Sequence, residues 1–352
     1  MSRASVVGRP LVARFVLLAL GLFAAAVFSV AVGSVWIPLP DVARVVLGGE
    51  AAQPVWTTVV RSFRVPRTVT ALLAGASLSV SGLLMQTVFR NPLAGPFVLG
   101  VSSGAGLGVA LVVLAGGTAV GGVFLSVAGF FGAAGHVGAA TLGAAAVLVG
   151  VLLVARRLQS MTLLLLLGVL FGYATNALTT VMIHFADAER IQSYLRWTFG
   201  SFSHVAPGDL RLLVLLVAIG LPLAFVPAHA LNVLLMGEEY ARSVGVRVGR
   251  VRLLAVSATA LLSGTITAYC GPIGFLGVAV PHLARALFKS SDHRVLLPAT
   301  LLLGALTAAL ADSIAQLPGT EQVLPLNAVT ALFGAPVVAW VLLRRSSNEV
   351  KS

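Results

Sequence analysis

The sequence predicts an all-α polytopic membrane protein, a single domain of 352 residues with about ten transmembrane helices. Three observations carry that expectation. The chain is 58% hydrophobic and only 10% charged, whereas a soluble domain has about 25% charged and about 45–50% apolar residues. So little polar surface cannot cover a water-soluble globule, which excludes a cytosolic enzyme, a disordered regulator and a disulfide-stapled secreted domain. Long charge-free stretches recur along the chain, and a bilayer core about 30 Å thick needs about 20 apolar residues per helix. Finally, the net charge of +12 sits at the ends of apolar runs, which is how topology signals are placed and not how a nucleic-acid footprint is built. Cys270 is the one cysteine, so no intrachain disulfide forms and a thiolate metal cluster is excluded in practice.

Punctuating the apolar runs at Gly and Pro clusters places spans at 11–33, 68–89, 96–116, 132–155, 162–183, 210–228, 252–270, 274–288, 295–315 and 325–343. The first has a basic start in Arg3, Arg9 and Arg14. It is much longer than the apolar core of a signal peptide, so it reads as an uncleaved helix. Orientation follows from the basic residues in short loops. With the N-terminus inside, sixteen of the 23 lie on the inner face and seven outside. The same bias allots two spans, not three, to the 91–155 run. Residues 117–131 are then an outer loop or a surface helix, and both readings stay open. The outer loops 38–48 and 187–202 read as structured, the latter as a short helix ending near Gly200. Residues 229–250 form the longest inner connection.

GPFVLG at 95–100 and GPIGFLG at 271–277 open spans from opposite sides. Such a pair suggests inverted halves, or else chance similarity in a Gly-rich chain.

No catalytic set stands out. GVSSG at 100–104 matches G-x-S-x-G, a motif that needs a strand–turn–helix and triad partners. In a Gly/Ser-rich membrane segment it reads first as close helix packing. An intramembrane serine protease using Ser102 or Ser103 with His282 is the enzyme alternative. The six histidines are scattered and have no metal-ligand spacing. A P-loop needs Lys after its second Gly, and neither Lys289 nor Lys351 qualifies. The chain is therefore expected to carry no ATPase site. Asp312 is the one good intramembrane ion-site candidate, which leaves an ion-coupled secondary transporter as the runner-up.

The motifs then converge. RVPRTVTALLAGASLSVSGLLMQTVFRNPLAGPFVLGVSSGAG at 64–106, RWTFGSF at 196–202, LNVLLMGEEYARSVGV at 231–246, GPIGFLGVAVPHLAR at 271–285, DHRVLLPA at 292–299 and LFGAPVVAWVLL at 332–343 follow one another in order. The chain resembles, over nearly its whole length, the permease subunits of ABC importers for ferric siderophores, haem and cobalamin. The resemblance implies a type II importer fold with inverted repeats in a bacterial inner membrane, both termini cytoplasmic. It implies a second permease copy or a paralogue around a central pathway, two ATP-binding subunits and an external substrate-binding protein. No cofactor is expected on this chain, since ATP and Mg belong to the ATPase subunits. A ferric siderophore or other iron chelate is the first expected cargo, ahead of haem and cobalamin.

The resemblance also assigns residues. Gly237, Glu238, Glu239, Ala241 and Gly245 in the 229–250 region carry the ATPase-coupling pattern. Arg64 and Arg67 match the RxPR motif that receives the binding protein, while Gln316 stands where a third basic docking residue is often found. Asn91, Leu93, Ser160 and Met161 fall at the cytoplasmic gate. Gly168, Gly172, Thr175, Asn176 and Thr179 give the fifth span a small polar face, either a wall of the pathway or a packing surface.

Overall fold

The computed structural model describes residues 4–33, 35–115, 122, 135–157, 161–203, 205–316 and 323–349, and every regular element among them is helical. The expectation for 117–131 falls outside the described residues apart from position 122.

Helix α1 (Ala4–Ala31) leads through a loop to the short α2 (Leu39–Val46), which starts at Pro38 and Pro40. Helix α3 (Pro54–Val59) passes through one π-helical turn, Val60–Arg64, into α4 (Val65–Val88). Pro66 follows directly. A proline cannot donate its nitrogen to the preceding turn and crowds the carbonyl four residues back, so the wider turn lies where the α-helical ladder is interrupted.

A 3-10 turn (Pro96–Leu99) opens α5 (Val101–Val113), followed by α6 (His136–Arg157) and α7 (Met161–Phe185). The short α8 (Ala188–Thr198) precedes α9 (Pro207–Phe225) and ends just before Gly200, as the sequence suggested. Helices α10 (Ala228–Leu235) and α11 (Glu238–Ser243) form an elbow before α12 (Val248–Cys270). Helices α13 (Leu276–Phe288), α14 (His293–Ala315) and α15 (Leu326–Glu349) complete the chain.

Among the described residues, six helices are long and apolar enough to cross a membrane, and four shorter apolar helices accompany them. They fall on the ten spans expected from sequence. The internal repeat is explicit in the geometry. Helices α4 and α12 contain 24 and 23 residues, and each leads through a Gly-Pro turn to a helix of 13. A 13-residue helix rises only about 20 Å, less than the bilayer core. Both short helices start on a left-handed residue, Gly100 (φ 72°) and Phe275 (φ 65°). Packing follows the repeat, since α14 lies against α4 and its counterpart α6 lies against α12.

Helices α4 and α12 form the buried centre, whereas α1, α7 and α9 are mostly exposed. Apolar burial alone drives little association between helices in lipid, so close backbone approach and interhelical hydrogen bonds carry more weight. A Cβ added at Gly82 would stand 1.7 Å from the Gly277 carbonyl oxygen, and one at Gly75 would stand 2.1 Å from that of Gly304. The two Gly-Pro segments also touch each other, since a Cβ at Gly277 would lie 2.4 Å from Pro96.

Candidate functional site

The elbow between α10 and α11 turns at Gly237, whose φ of 126° and ψ of 151° are open only to glycine. Ala241 is fully buried and anchors α11 from beneath. The Ala241 carbonyl accepts the Val246 N–H at 2.9 Å, and Gly245 (φ 84°) lets the chain leave left-handed. The Glu238 carboxylate binds Arg242 at 2.7 Å and Arg252 at 2.6 Å, so it ties α11 to the start of α12. Glu239 points to solvent with Leu235, Met236, Tyr240 and Val244. Five residues singled out from sequence therefore divide: two permit the turns, one anchors, one braces and one is exposed. The exposed apolar side chains on this knob were not singled out.

A hydrogen-bond cluster joins the elbow to the core, and the sequence reading missed it. The Asn232 side chain on α10 donates to Asp292 Oδ1 at 2.6 Å. That fixes the amide with its oxygen toward His293, where it accepts the backbone N–H at 2.8 Å and lies 2.8 Å from Nδ1. The ring proton is therefore on Nδ1. Nε2 lies 2.8 Å from the Thr87 hydroxyl on α4. Asp292 caps α14 by accepting the Arg294 N–H, and this bond, with the Asn232 amide, holds its carboxyl below the usual carboxylate range. The available signal was that Asn232 and Asp292–His293 lie inside two of the motif stretches. Asn232→Ala removes three hydrogen bonds and leaves the His293 N–H buried without a partner. It should lower stability by about 1–3 kcal/mol, read as thermal unfolding in detergent. A Tm equal to that of the parent would show that the cluster holds nothing.

Arg64 and Arg67 are both engaged within the chain. Arg64 is only 8% exposed. Its Nη1 donates to the Val30 and Ala31 carbonyls at 3.0 and 2.7 Å, and its Nη2 donates to the Val35 carbonyl. It thus satisfies carbonyls that the end of α1 leaves without intrahelical partners. Arg67 forms a two-pronged ion pair with the buried Asp312, with Nη2 to Oδ1 at 2.9 Å and Nε to both oxygens at 3.0 Å. Gln316 adds a bond to the same carboxylate at 3.0 Å. Both guanidinium groups are used inside the chain, where the docking reading expected them to face a partner. Asp312 likewise has its charge compensated, which removes it as an open ion-coupling site. Arg44 and Arg61 are the exposed cations of the same loop region.

At the gate loop, Arg90 is left-handed (φ 48°) and the Asn91 side chain accepts the Leu93 N–H at 2.9 Å. This tight turn leaves Leu93 exposed and holds Asn91 as a structural residue. His282 Nε2 lies 2.8 Å from the Pro92 carbonyl oxygen, fastening the loop to α13. Gln86 donates to the Val278 carbonyl and accepts from Arg285 beside it. Ser160 lies outside the described residues, and Met161 begins α7.

The small polar face of α7 splits along its length. Gly168 packs on the 3-10 turn, where a Cβ would meet the Val98 carbonyl oxygen at 2.0 Å. At Gly168 the close contact is helix packing, one of the two readings of this face. Gly172, Thr175, Asn176 and Thr179 instead line a polar cavity of about 140 Å³ with Ser102, Ser103, Tyr194 and Trp197. Ser102 and Ser103 belong to this niche while His282 is engaged at Pro92, so no Ser–His dyad forms. No metal-ligand cluster exists among the described residues.

The FecCD transport family model matches residues 21–344. The chain is 37% identical over 318 residues to the vitamin B12 import system permease protein BtuC of Klebsiella pneumoniae subsp. pneumoniae, covering 90% of this chain and 89% of that protein. It is 39% identical over 281 residues to BtuC of Citrobacter koseri, covering 80% and 82%. It also superposes on a solved inward-facing ABC transporter described as of metal-chelate type, with TM-score 0.77 and 29% identity, covering 93% of this chain and 97% of that one. With a family model and relatives that match over most of its length, the chain belongs to the FecCD transport family.

Proposed function

We propose that the chain is the membrane-spanning permease of a binding-protein-dependent ABC importer for a metal chelate. The observation that carries this reading is the α10–α11 elbow. It projects Leu235, Met236, Tyr240 and Val244 into solvent from a base held by Ala241 and the Glu238 ion pairs. Large apolar side chains on a charged knob suit burial in a cleft of a partner ATPase, which would supply ATP and Mg. Closure of that partner would push α10, and through Asn232 and His293 would move α14 and α4 as rigid bodies.

Other features support the remaining parts. Asn176 is exposed near the middle of the apolar α7. Lipid would leave its amide unsatisfied, so this face suits a water-filled pathway beside a second permease subunit, a copy or a paralogue. The excess of basic residues in alternate loops supports cytoplasmic termini in a bacterial inner membrane. Arg44, Arg61, Arg196 and Arg211, on the opposite side by helix alternation, are exposed cations available to steer an acidic binding protein.

Cobalamin is the leading cargo because the named relatives at 37% and 39% identity import vitamin B12. A ferric siderophore is the second reading, favoured by the metal-chelate transporter of the same fold. The test is purification from the native host in mild detergent with identification of co-purifying chains, then reconstitution with them in liposomes. An ATPase and a binding protein should co-purify, and uptake of labelled cyanocobalamin should require ATP. Uptake driven by an ion gradient, with no ATPase recovered, would overturn the importer reading. ATP-driven uptake of ferric siderophore alone would overturn only the cargo.

A further inference from the structure

Helix α5 packs against both α6 and α7, but α6 and α7 touch each other little, and a cleft of about 630 Å³ opens between them. Leu107 and Leu111 of α5 line its base, Leu142, Val147 and Val154 of α6 one wall and Phe171 of α7 the other. Every residue that lines it is apolar or glycine. The lining on α6 runs from Leu142 to Val154, a rise of about 18 Å at about 1.5 Å per residue. One leaflet of a hydrocarbon core about 30 Å thick is about 15 Å deep. The cleft therefore matches, in length and in chemistry, a hydrocarbon chain lying along one leaflet.

Helix α7 turns different flanks to lipid and to water. Leu167, Leu170 and Phe171 stay exposed on the cleft side. Asn176, two residues beyond the cleft-lining Ala174, is about 200° further round the helix. The amide flank suits a water-filled pathway, which leaves the apolar flank to lipid.

Charge then selects the lipid. Helix α6 closes on Arg156 and Arg157, two residues beyond Val154, so two cations stand at one end of the cleft. No Asp or Glu occurs between residues 51 and 186, so the three helices that form the cleft carry no acid of their own. The basic-residue bias assigns this end of α6 to the cytoplasmic side. An acyl chain gains little by leaving other acyl chains for an apolar cleft. Selectivity therefore comes from the headgroup, and basic residues at a cytoplasmic helix end favour an anionic one.

We propose that the α6–α7 cleft holds an acyl chain of an anionic phospholipid from the inner leaflet, with the lipid phosphate at Arg156 and Arg157. The inference goes beyond the importer reading and does not depend on the cargo.

The test uses the full chain with its co-purifying subunits in mild detergent. It is equilibrated with equal amounts of phosphatidylglycerol and phosphatidylcholine, and retained phospholipid is counted by native mass spectrometry. The parent should retain at least one phospholipid per chain and favour phosphatidylglycerol about tenfold or more. Gly150 lines the cleft, and a Cβ there would meet nothing within 4 Å. Gly150→Leu should therefore fill the cleft without disturbing the helix and retain one phospholipid fewer. Ala146→Phe, exposed on the same wall, should give the same loss if Gly150→Leu does not fold. Arg156→Gln/Arg157→Gln should retain the two lipids equally. Parental retention by a folded filling variant would overturn the site, and equal retention of the two lipids by the parent would overturn the headgroup assignment. A parent that retains no phospholipid, with a permease dimer that Gly150→Leu disrupts, would overturn the lipid site and assign the cleft to subunit contact.

Discussion

Arg67→Ala should remove most of the folded protein, with a loss of about 3–5 kcal/mol, because it leaves the Asp312 carboxylate buried with its charge uncompensated. The Asp312 side chain is 1% exposed, and both of its oxygens are bound by Arg67. Gln316 gives it one neutral bond, which cannot replace a cation. The double variant Arg67→Ala/Asp312→Ala should recover much of the loss, since an apolar pair takes the place of the ion pair. The measurement is size-exclusion recovery and thermal unfolding of the three variants in detergent. Were Arg67 chiefly a docking residue, Arg67→Ala would melt like the parent and lose only salt-dependent affinity for a binding protein. That result would refute the structural assignment.

Gly237→Val should uncouple ATP hydrolysis from transport, with cargo moved per ATP falling about tenfold or more. The backbone at Gly237 lies at φ 126° and ψ 151°, where a β-branched residue is strained by about 1–3 kcal/mol. The chain can relieve that strain by turning α11 away from α10, because nothing lies within 4 Å of a Cβ at this position. The strain falls on α11 while the Asn232 bonds from α10 to Asp292 and His293 stay intact, so the variant should still insert and assemble. Glu238→Gln should have a smaller effect in the same direction, since it weakens the bonds to Arg242 and Arg252 without changing the backbone. The ratio of cargo imported to ATP hydrolysed in liposomes measures both. A parental ratio for Gly237→Val would refute the coupling role of the elbow.

Much of the architecture was legible because the membrane imposes local rules. Hydropathy located the spans, and the Gly-Pro pair at 95–96 and 271–272 revealed a repeat that recurs as two 13-residue helices. The elbow was legible from GEEYARSVG, since Gly237 and Gly245 both occupy backbone conformations that favour glycine. The α7 face was legible only in part. Gly172, Thr175, Asn176 and Thr179 gather in one cavity, while Gly168, on the same helix, is used for contact with Val98. Periodicity assigns residues to a face but does not say what lies opposite each turn.

The arginines show the limit most clearly. RxPR marks two cations near a membrane boundary, but nothing local distinguishes a cation facing solvent from one facing a partner 245 residues away. The same holds for Asn232 and His293, separated by 61 residues. Hydrophobicity, charge bias and helix punctuation act over one span and its flanks, so the sequence by itself determined the helical class, the number and order of spans and the position of the elbow. Ion pairs, hydrogen-bond partners and the polar niche depend on which helices become neighbours. Only the tertiary packing of α4, α5, α7, α8, α12 and α14 decided those.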